Sequence, residues 1–226
     1  EFEYALGLLK HRGPDSSGIW QDKRNIMLGH NRLSIIDTSS AANQPFISKN
    51  RKAVIVYNGE VYNYKLLKNQ LKFTDFKTNS DTEVILEGYL EEGVSFFKKL
   101  RGIYAFAIID FRKELELVLV RDPAGVKPLY YCKKDSMIIF ASEIKAIKAL
   151  QSSNSSINTN SIKQYLNLGF IPEPNTVYSD IASLRPGYYM SFSENFKSTT
   201  KSFFKYSFND INNRSSAYNI EIISSL

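Results

Sequence analysis

Residues 103–109 read Ile-Tyr-Ala-Phe-Ala-Ile-Ile, and no other stretch restricts the possible folds so strongly. Side chains on a strand alternate between its two faces. Tyr104, Phe106 and Ile108 share one face, and Ile103, Ala105, Ala107 and Ile109 share the other, so both faces are apolar. Such a strand has to be covered on both sides. Residues 115–120 follow after a short polar break and read as its hairpin partner, and residues 129–132 and 137–141 read as a second hairpin. Antiparallel hairpins leave helices to be added as outer layers, not as crossovers. The expected class is a layered α+β fold and not a doubly wound parallel sheet.

The rest of the pattern supplies those layers. Residues 4–9 read as the end of a helix, broken at Arg12-Gly13-Pro14-Asp15 because Pro14 disfavours helical geometry at Gly13. Residues 27–28 and 33–36 read as short strands, and residues 53–57 as an apolar strand ending in the turn pair Asn58-Gly59. Residues 63–71 are helical in pattern, with Leu66, Leu67 and Leu71 on one face. Ser80 or Asp81 can cap a helix that runs to Glu92 with Val84, Ile85, Tyr89 and Leu90 inward, and Gly93 stops it. Residues 143–150 make a short helix, residues 151–160 a polar linker, and Ser161 caps a helix to Leu168. An extended loop follows at 171–174 and a turn at 185–187; past Ser191 the chain is rich in Ser, Asn and Lys, and order is not expected there.

Composition removes several classes of function. At 226 residues the chain fits one or two domains. A single cysteine, Cys132, permits neither an internal disulfide nor a four-cysteine zinc site, and two histidines argue against a histidine-rich metal centre. No apolar run approaches the roughly 18 residues of a membrane span, and residues 1–4 have neither the basic stretch nor the apolar core of a secretory signal. No membrane partner and a cytoplasmic residence are expected. The formal charge of +6 suggests nucleic acid, but Lys65, Lys68, Lys72, Lys77, Lys98 and Lys99 are scattered. An ordinary soluble surface with no nucleic-acid partner is the expectation.

Several polar clusters could together bind an amino acid. They are Gly29-His30-Asn31-Arg32, Asn58-Gly59-Glu60, Ser80-Asp81-Thr82-Glu83 and Arg121-Asp122-Pro123. An arginine fork takes an α-carboxylate with paired hydrogen bonds, and carboxylates such as Glu60 and Asp81 hold an ammonium. An Asn amide beside a Gly N–H can face a developing oxyanion. Each piece also has a purely structural reading: a turn at Asn58-Gly59, a helix cap at Asp81, an ion pair at Arg32, a fixed hydrogen-bond donor at His30.

The order of the motifs narrows these choices. Arg12-Gly13-Pro14-Asp15, Gly29-His30-Asn31-Arg32-Leu33-Ser34-Ile35-Ile36-Asp37, Gln44-Pro45, Asn58-Gly59-Glu60, Ser80-Asp81-Thr82-Glu83, Arg101-Gly102-Ile103-Tyr104-Ala105-Phe106-Ala107 and Arg121-Asp122-Pro123 occur in succession. Gly125-Val126-Lys127-Pro128-Leu129-Tyr130-Tyr131 and Ser142-Glu143-Ile144-Lys145-Ala146 complete the run. This succession resembles the class II glutamine amidotransferase domain of glutamine-hydrolysing asparagine synthetase. The resemblance implies a four-layer αββα sandwich of the N-terminal-nucleophile type, L-glutamine as substrate, and a homodimer. It implies that Arg32 binds the glutamine α-carboxylate, with Leu33, Ser34, Ile35 and Ile36 lining the pocket as a strand. It further implies that Asn58 and Gly59 form the oxyanion hole and that Glu60 and Asp81 contact the amino group or side chain.

Two departures qualify that activity. The family's nucleophile is the cysteine that begins the mature chain, its own free amine acting as base, on a strand ahead of the Arg12-Gly13-Pro14-Asp15 element. None of the ten residues before His11 is cysteine, and Cys132, after Tyr130-Tyr131, reads as a buried packing residue. The 226-residue polypeptide is therefore expected to be inactive by itself, and loss of the first strand to leave a sheet edge open. Second, the family continues into a synthetase domain that uses ATP and magnesium, so no cofactor or metal is expected in this chain. Residues 1–190 are expected to be the amidotransferase domain without its first strand, and 191–226 a linker and the start of a truncated synthetase domain, with a helix at 216–226. The alternative is a non-catalytic binding or dimerisation module, as in β-lactam synthetase-like proteins.

Overall fold

The computed structural model describes residues 1–134, 137–151 and 155–206. In chain order the elements are α1 (Phe2–Gly7), β1 (Ser16–Gln21), β2 (Met27–Arg32), β3 (Phe46–Ile47), β4 (Ala53–Val61), α2 (Tyr64–Gln70), α3 (Asp81–Glu92), β5 (Gly102–Asp110) and β6 (Glu116–Arg121). They continue with β7 (Tyr130–Lys134), β8 (Met137–Ala141), α4 (Ile144–Leu150), α5 (Thr159–Leu168), β9 (Ile181–Ser183), β10 (Tyr188–Ser193) and β11 (Ser198–Ser202).

The doubly apolar strand is the axis of the molecule. As β5 it pairs antiparallel with β4 along Ala53–Val61 and with β6 on the other side, inside a sheet ordered β11-β10-β6-β5-β4-β3. Tyr104, Phe106 and Ile108 pack outward with Val84, Ile85 and Tyr89 of α3 and Leu67 of α2. Ala105, Ala107 and Ile109 pack the other way, with Leu28 of β2 and the partly buried Ile138 and Phe140 of β8. Those strands belong to two smaller sheets, β1-β2 and β8-β7-β9. Beyond them Cys132 of β7 and Ile181 of β9 pack against Ile147 of α4, and α1 lies against α4 and β2. The layers are thus helix, six-stranded sheet, paired small sheets, helix, which is the αββα sandwich.

The sequence pattern is overridden in several places. β2 ends at Arg32, and residues 33–36 are a loop instead of a strand, because the backbone turns at Asp37 (φ 50°) and the Arg32 side chain gathers the loop's carbonyls. Asn58-Gly59 is not a turn: β4 runs through it, held by the β5 register Asn58↔Ala105 and Gly59↔Tyr104. Leu66 is exposed, since α2 has only seven residues and buries Leu67. Asn158, not Ser161, caps α5, its Oδ1 accepting from the N–H groups of Asn160 and Ser161. Strand β1, with its polar Ser-Ser-Gly start, gave no strand signal. Order continues past Ser191: residue 190 lies within β10, β11 extends the same sheet, and Phe192 and Phe203 are buried. The helix expected at 216–226 lies outside the described residues.

Candidate functional site

Two spaces meet between the β layers, a cleft of about 400 Å³ and a slot of about 470 Å³. Strand β4 builds one wall of the cleft. Ala53, Ile55 and Tyr57 pack into the outer cluster while Val54 and Val56 pack inward, so alternation turns Asn58 and Glu60 inward as well. The outer edge of β4 is covered by β3 only at Val54 and Ile55. Past that point Gln44 clasps Tyr57, accepting from its N–H at 2.6 Å and donating to its carbonyl at 3.1 Å. Two pairs further along, the Val61 N–H donates to Asp81 Oδ2 at 3.0 Å. Alternate N–H groups of a strand point to the same side. The Gly59 N–H, between these two, therefore points to the open edge and the cleft, beside the Asn58 amide.

Gly59 is fixed by backbone geometry. Its φ is 154°, and a Cβ there would lie 2.2 Å from the Ile103 carbonyl oxygen. Only glycine allows β4 to approach β5 so closely.

Asp81 sits where Ser80 caps α3, the Thr82 N–H donating to Ser80 Oγ at 3.1 Å. Its Oδ2 accepts from Tyr57 Oη at 2.6 Å as well as from Val61, so it ties the helix start to β4. Burial pushes its carboxyl up, and these hydrogen bonds oppose that shift. Arg32 is 6% exposed and engaged by its own loop: Nη1 donates to the Ser39 carbonyl at 2.9 Å and to Asn43 Oδ1 at 2.7 Å, and Nη2 donates to the carbonyls of Ile36 and Asp37. The loop is pinned again where Asp37 Oδ2 accepts from the Asn79 N–H and Asp15 Oδ2 from the Ser34 N–H. His30 shares a face of β2 with Leu28, and its Nε2 lies 3.0 Å from the Tyr57 carbonyl. Burial pushes its pKa down to about 4; the Tyr57 carbonyl opposes this and Arg32 adds to it.

Of the residues expected from sequence, Arg32, Leu33, Ile35, Ile36, Asn58, Gly59, Glu60 and Asp81 all border the cleft. Ser34 does not border it, and its N–H holds the loop. Cys132 borders neither space; it is buried under α4 with Gln151 Nε2 3.1 Å from its sulfur. Burial pushes its thiol up, away from the thiolate. At the rim, Glu143 joins Arg12, Lys145 and His11 at 2.9–3.0 Å.

An open sheet edge is expected from the sequence, but not which strands border it. Among the described residues β2 is paired on one edge only, by β1, and β8 on one edge only, by β7, and both strands border this slot. Leu28 and Met27 border the slot alone, Gly29 and His30 border both spaces, and Asn31 and Arg32 border the cleft alone. Likewise β8 borders the slot and Ser142 just after it borders both spaces, and the chain around α1 passes from Glu1 in the slot to Leu9 at the junction. All three elements thus run toward the cleft. A strand laid in the slot with its first residue at the cleft would run antiparallel to β2 and β8 and end near Glu1.

A sequence profile of the glutamine amidotransferase domain matches residues 1–204. The chain belongs to the glutamine amidotransferase domain family. This amidotransferase domain is 36% identical over 206 residues to asparagine synthetase (glutamine-hydrolyzing) 1 of Bacillus subtilis, covering 90% of the chain and 32% of that protein. It is 38% identical over 195 residues to putative asparagine synthetase (glutamine-hydrolyzing) 2 of Methanocaldococcus jannaschii, covering 78% of the chain and 38% of the relative. Amidase chry2 of Gibberella zeae is 36% identical over 193 residues, 84% of the chain and 28% of that protein. The domain therefore spans about a third of the curated relatives it matches. Among solved structures, glutamine phosphoribosylpyrophosphate amidotransferase from Bacillus subtilis superposes with a TM-score of 0.64 at 22% identity, over 90% of this chain and 46% of that one. That likeness establishes the shared fold.

Proposed function

We propose that this amidotransferase domain serves an asparagine synthetase. It binds L-glutamine and releases ammonia, which a synthetase region using ATP and magnesium adds to aspartate. In this reading residues beyond the sheet lead toward that region, the domain pairs as a homodimer, and the protein works in the cytoplasm. The observation that carries the reading is the junction of slot and cleft. A cysteine-headed strand in the slot would present its thiolate beside Asn58 and Gly59, and would join the small sheets into one continuous sheet. The sulfur attacks the side-chain amide carbon of glutamine, the Gly59 N–H and Asn58 amide receive the oxyanion, and the C–N bond breaks to release ammonia. Water then cleaves the thioester to glutamate. Glu60 and Asp81 offer negative charge to the glutamine ammonium, and Arg32, its Nη groups engaged by the loop, offers the α-carboxylate its positive charge and the loop it holds in place.

The test is a glutamate-release assay on two proteins. The 226-residue polypeptide, whose only cysteine is the buried Cys132, is expected to release none. The chain extended ahead of Glu1 by a short loop and a cysteine-headed strand is expected to be active, and Asn58→Ala in it should lower turnover about 10²–10³-fold. A folded extended chain without activity, or an Asn58→Ala variant at parental turnover, would refute the reading.

A further inference from the structure

His30 carries a feature that glutamine binding leaves unexplained. The Tyr57 carbonyl can only accept a hydrogen bond, so the proton lies on Nε2 of His30 and Nδ1 keeps its lone pair. That Nδ1 is shielded from solvent and has no hydrogen-bond partner among the described residues. A shielded acceptor left unpaired carries a desolvation cost, and a donor placed in one of the two adjoining spaces would remove it. The two spaces that His30 borders are the slot and the cleft, and it stands where they join. On the reading above, the first residue of an inserted strand arrives at this junction with a free α-amine.

We propose that Nδ1 of His30 accepts a hydrogen bond from that α-amine and thereby acts as a positioning residue for the catalytic base. The chemistry of the base favours this partner. An amine takes up the thiol proton only while it is neutral, with its lone pair turned to sulfur. A carboxylate partner would favour the ammonium form and quench the base. A neutral imidazole holds one N–H and leaves the lone pair free. Its low pKa keeps His30 neutral through the physiological range, so the acceptor is always present. The neighbouring groups are unsuited: the Gly59 N–H and the amide N–H groups of Asn58 are donors, and the carboxylates of Glu60 and Asp81 would favour the ammonium form of the amine. The proposal rests on the glutaminase reading, and one of its readouts is independent of glutamine.

Two substitutions in the strand-extended chain separate the two nitrogens. His30→Gln places an amide near Nε2, preserving the bond to Tyr57 while removing the acceptor at Nδ1. His30→Asn does the reverse. The measurements are kcat and KM for glutamine, and the rate at which iodoacetamide alkylates the leading cysteine. His30→Gln should lower kcat about tenfold with KM within about twofold, and slow alkylation by a similar factor. His30→Asn should stay within about threefold of the parent in both rates. The opposite pattern, activity kept by Gln and lost by Asn, would mean that His30 only supports Tyr57 and would overturn the proposal. Equal behaviour of the two variants would overturn it too. If the extended parent alkylates but releases no glutamate, the glutaminase reading fails, and the alkylation rates still decide His30.

Discussion

Replacing Arg32 by lysine tests how the cleft is held. The buried guanidinium makes four hydrogen bonds to Ile36, Asp37, Ser39 and Asn43, from two nitrogens that point apart. An ammonium is a single point and can keep about two of them. Charge-assisted hydrogen bonds contribute about 1.5–3 kcal/mol each, so losing two at the low end destabilises the fold by about 3 kcal/mol. With a urea slope of about 2 kcal/mol/M, the unfolding midpoint should fall by about 1.5 M. Glutamine affinity should fall with it, by about ten- to a hundredfold, because the same loop carries Leu33, Ile35 and Ile36 along the cleft. Urea denaturation followed by tryptophan fluorescence gives the first number, and calorimetric titration of glutamine into the strand-extended chain gives the second. An Arg32→Lys protein that unfolds at the parental urea concentration would refute the reasoning, since the planar fork would then hold nothing that an ammonium cannot. Parental affinity in a destabilised variant would refute the link from loop to ligand.

Gly59→Ala should be among the most damaging single changes, because the new methyl would meet backbone atoms of Ile103 and Tyr104 at 2.2 and 2.6 Å. A loss above about 3 kcal/mol in urea denaturation is expected, and a loss under about 1 kcal/mol would show that β4 and β5 can separate there. Glu143 links the start of α4 to Arg12. Burial pushes its carboxyl up, but hydrogen bonds from Lys145, Arg12 and His11 outweigh that and hold it at about 2, against 4.5 ordinarily. Its native form therefore binds fewer protons than the unfolded chain. The stabilisation is complete above pH 4.5 and is lost as pH falls toward 2. Glu143→Gln should flatten the stability profile across that window, and urea midpoints at several acidic pH values that keep the parental slope would contradict it.

What could be read from the sequence was what local pattern decides. The two-faced apolar strand, both hairpins and the Ser80 cap of α3 are each signalled by residues close together in the chain, and each stands in the structure. Where partners distant in sequence decide, local pattern misleads. Asn58-Gly59 carries a turn signal, yet pairing with Tyr104 and Ala105 keeps it extended, which is also what aims Gly59 at the cleft. Residues 33–36 look like a strand but are folded back by an arginine that precedes them. Strand β11, Ser-Thr-Thr-Lys-Ser, has no apolar face and is recognisable only through its pairing with β10. The residues around the cleft were found through the order of motifs. The slot, by contrast, belongs to no motif, because it is a relation between the edges of two strands about 110 residues apart.

Those two open edges also bear on how the protein behaves in bulk. An unpaired strand edge is a template for any extended segment that reaches it, and natural sheets usually protect theirs. Here β2 and β8 expose two such edges to one opening, lined by apolar side chains such as Met27, Leu28 and Ile139. A copy with the opening vacant can recruit a strand from a neighbour, and neighbours recruited in this way grow into aggregates. A copy whose opening is filled has no interior edge to offer. On the function proposed above, a strand seated in the opening would double as a safeguard of solubility, and expression yield should track its presence even in variants that never turn over glutamine.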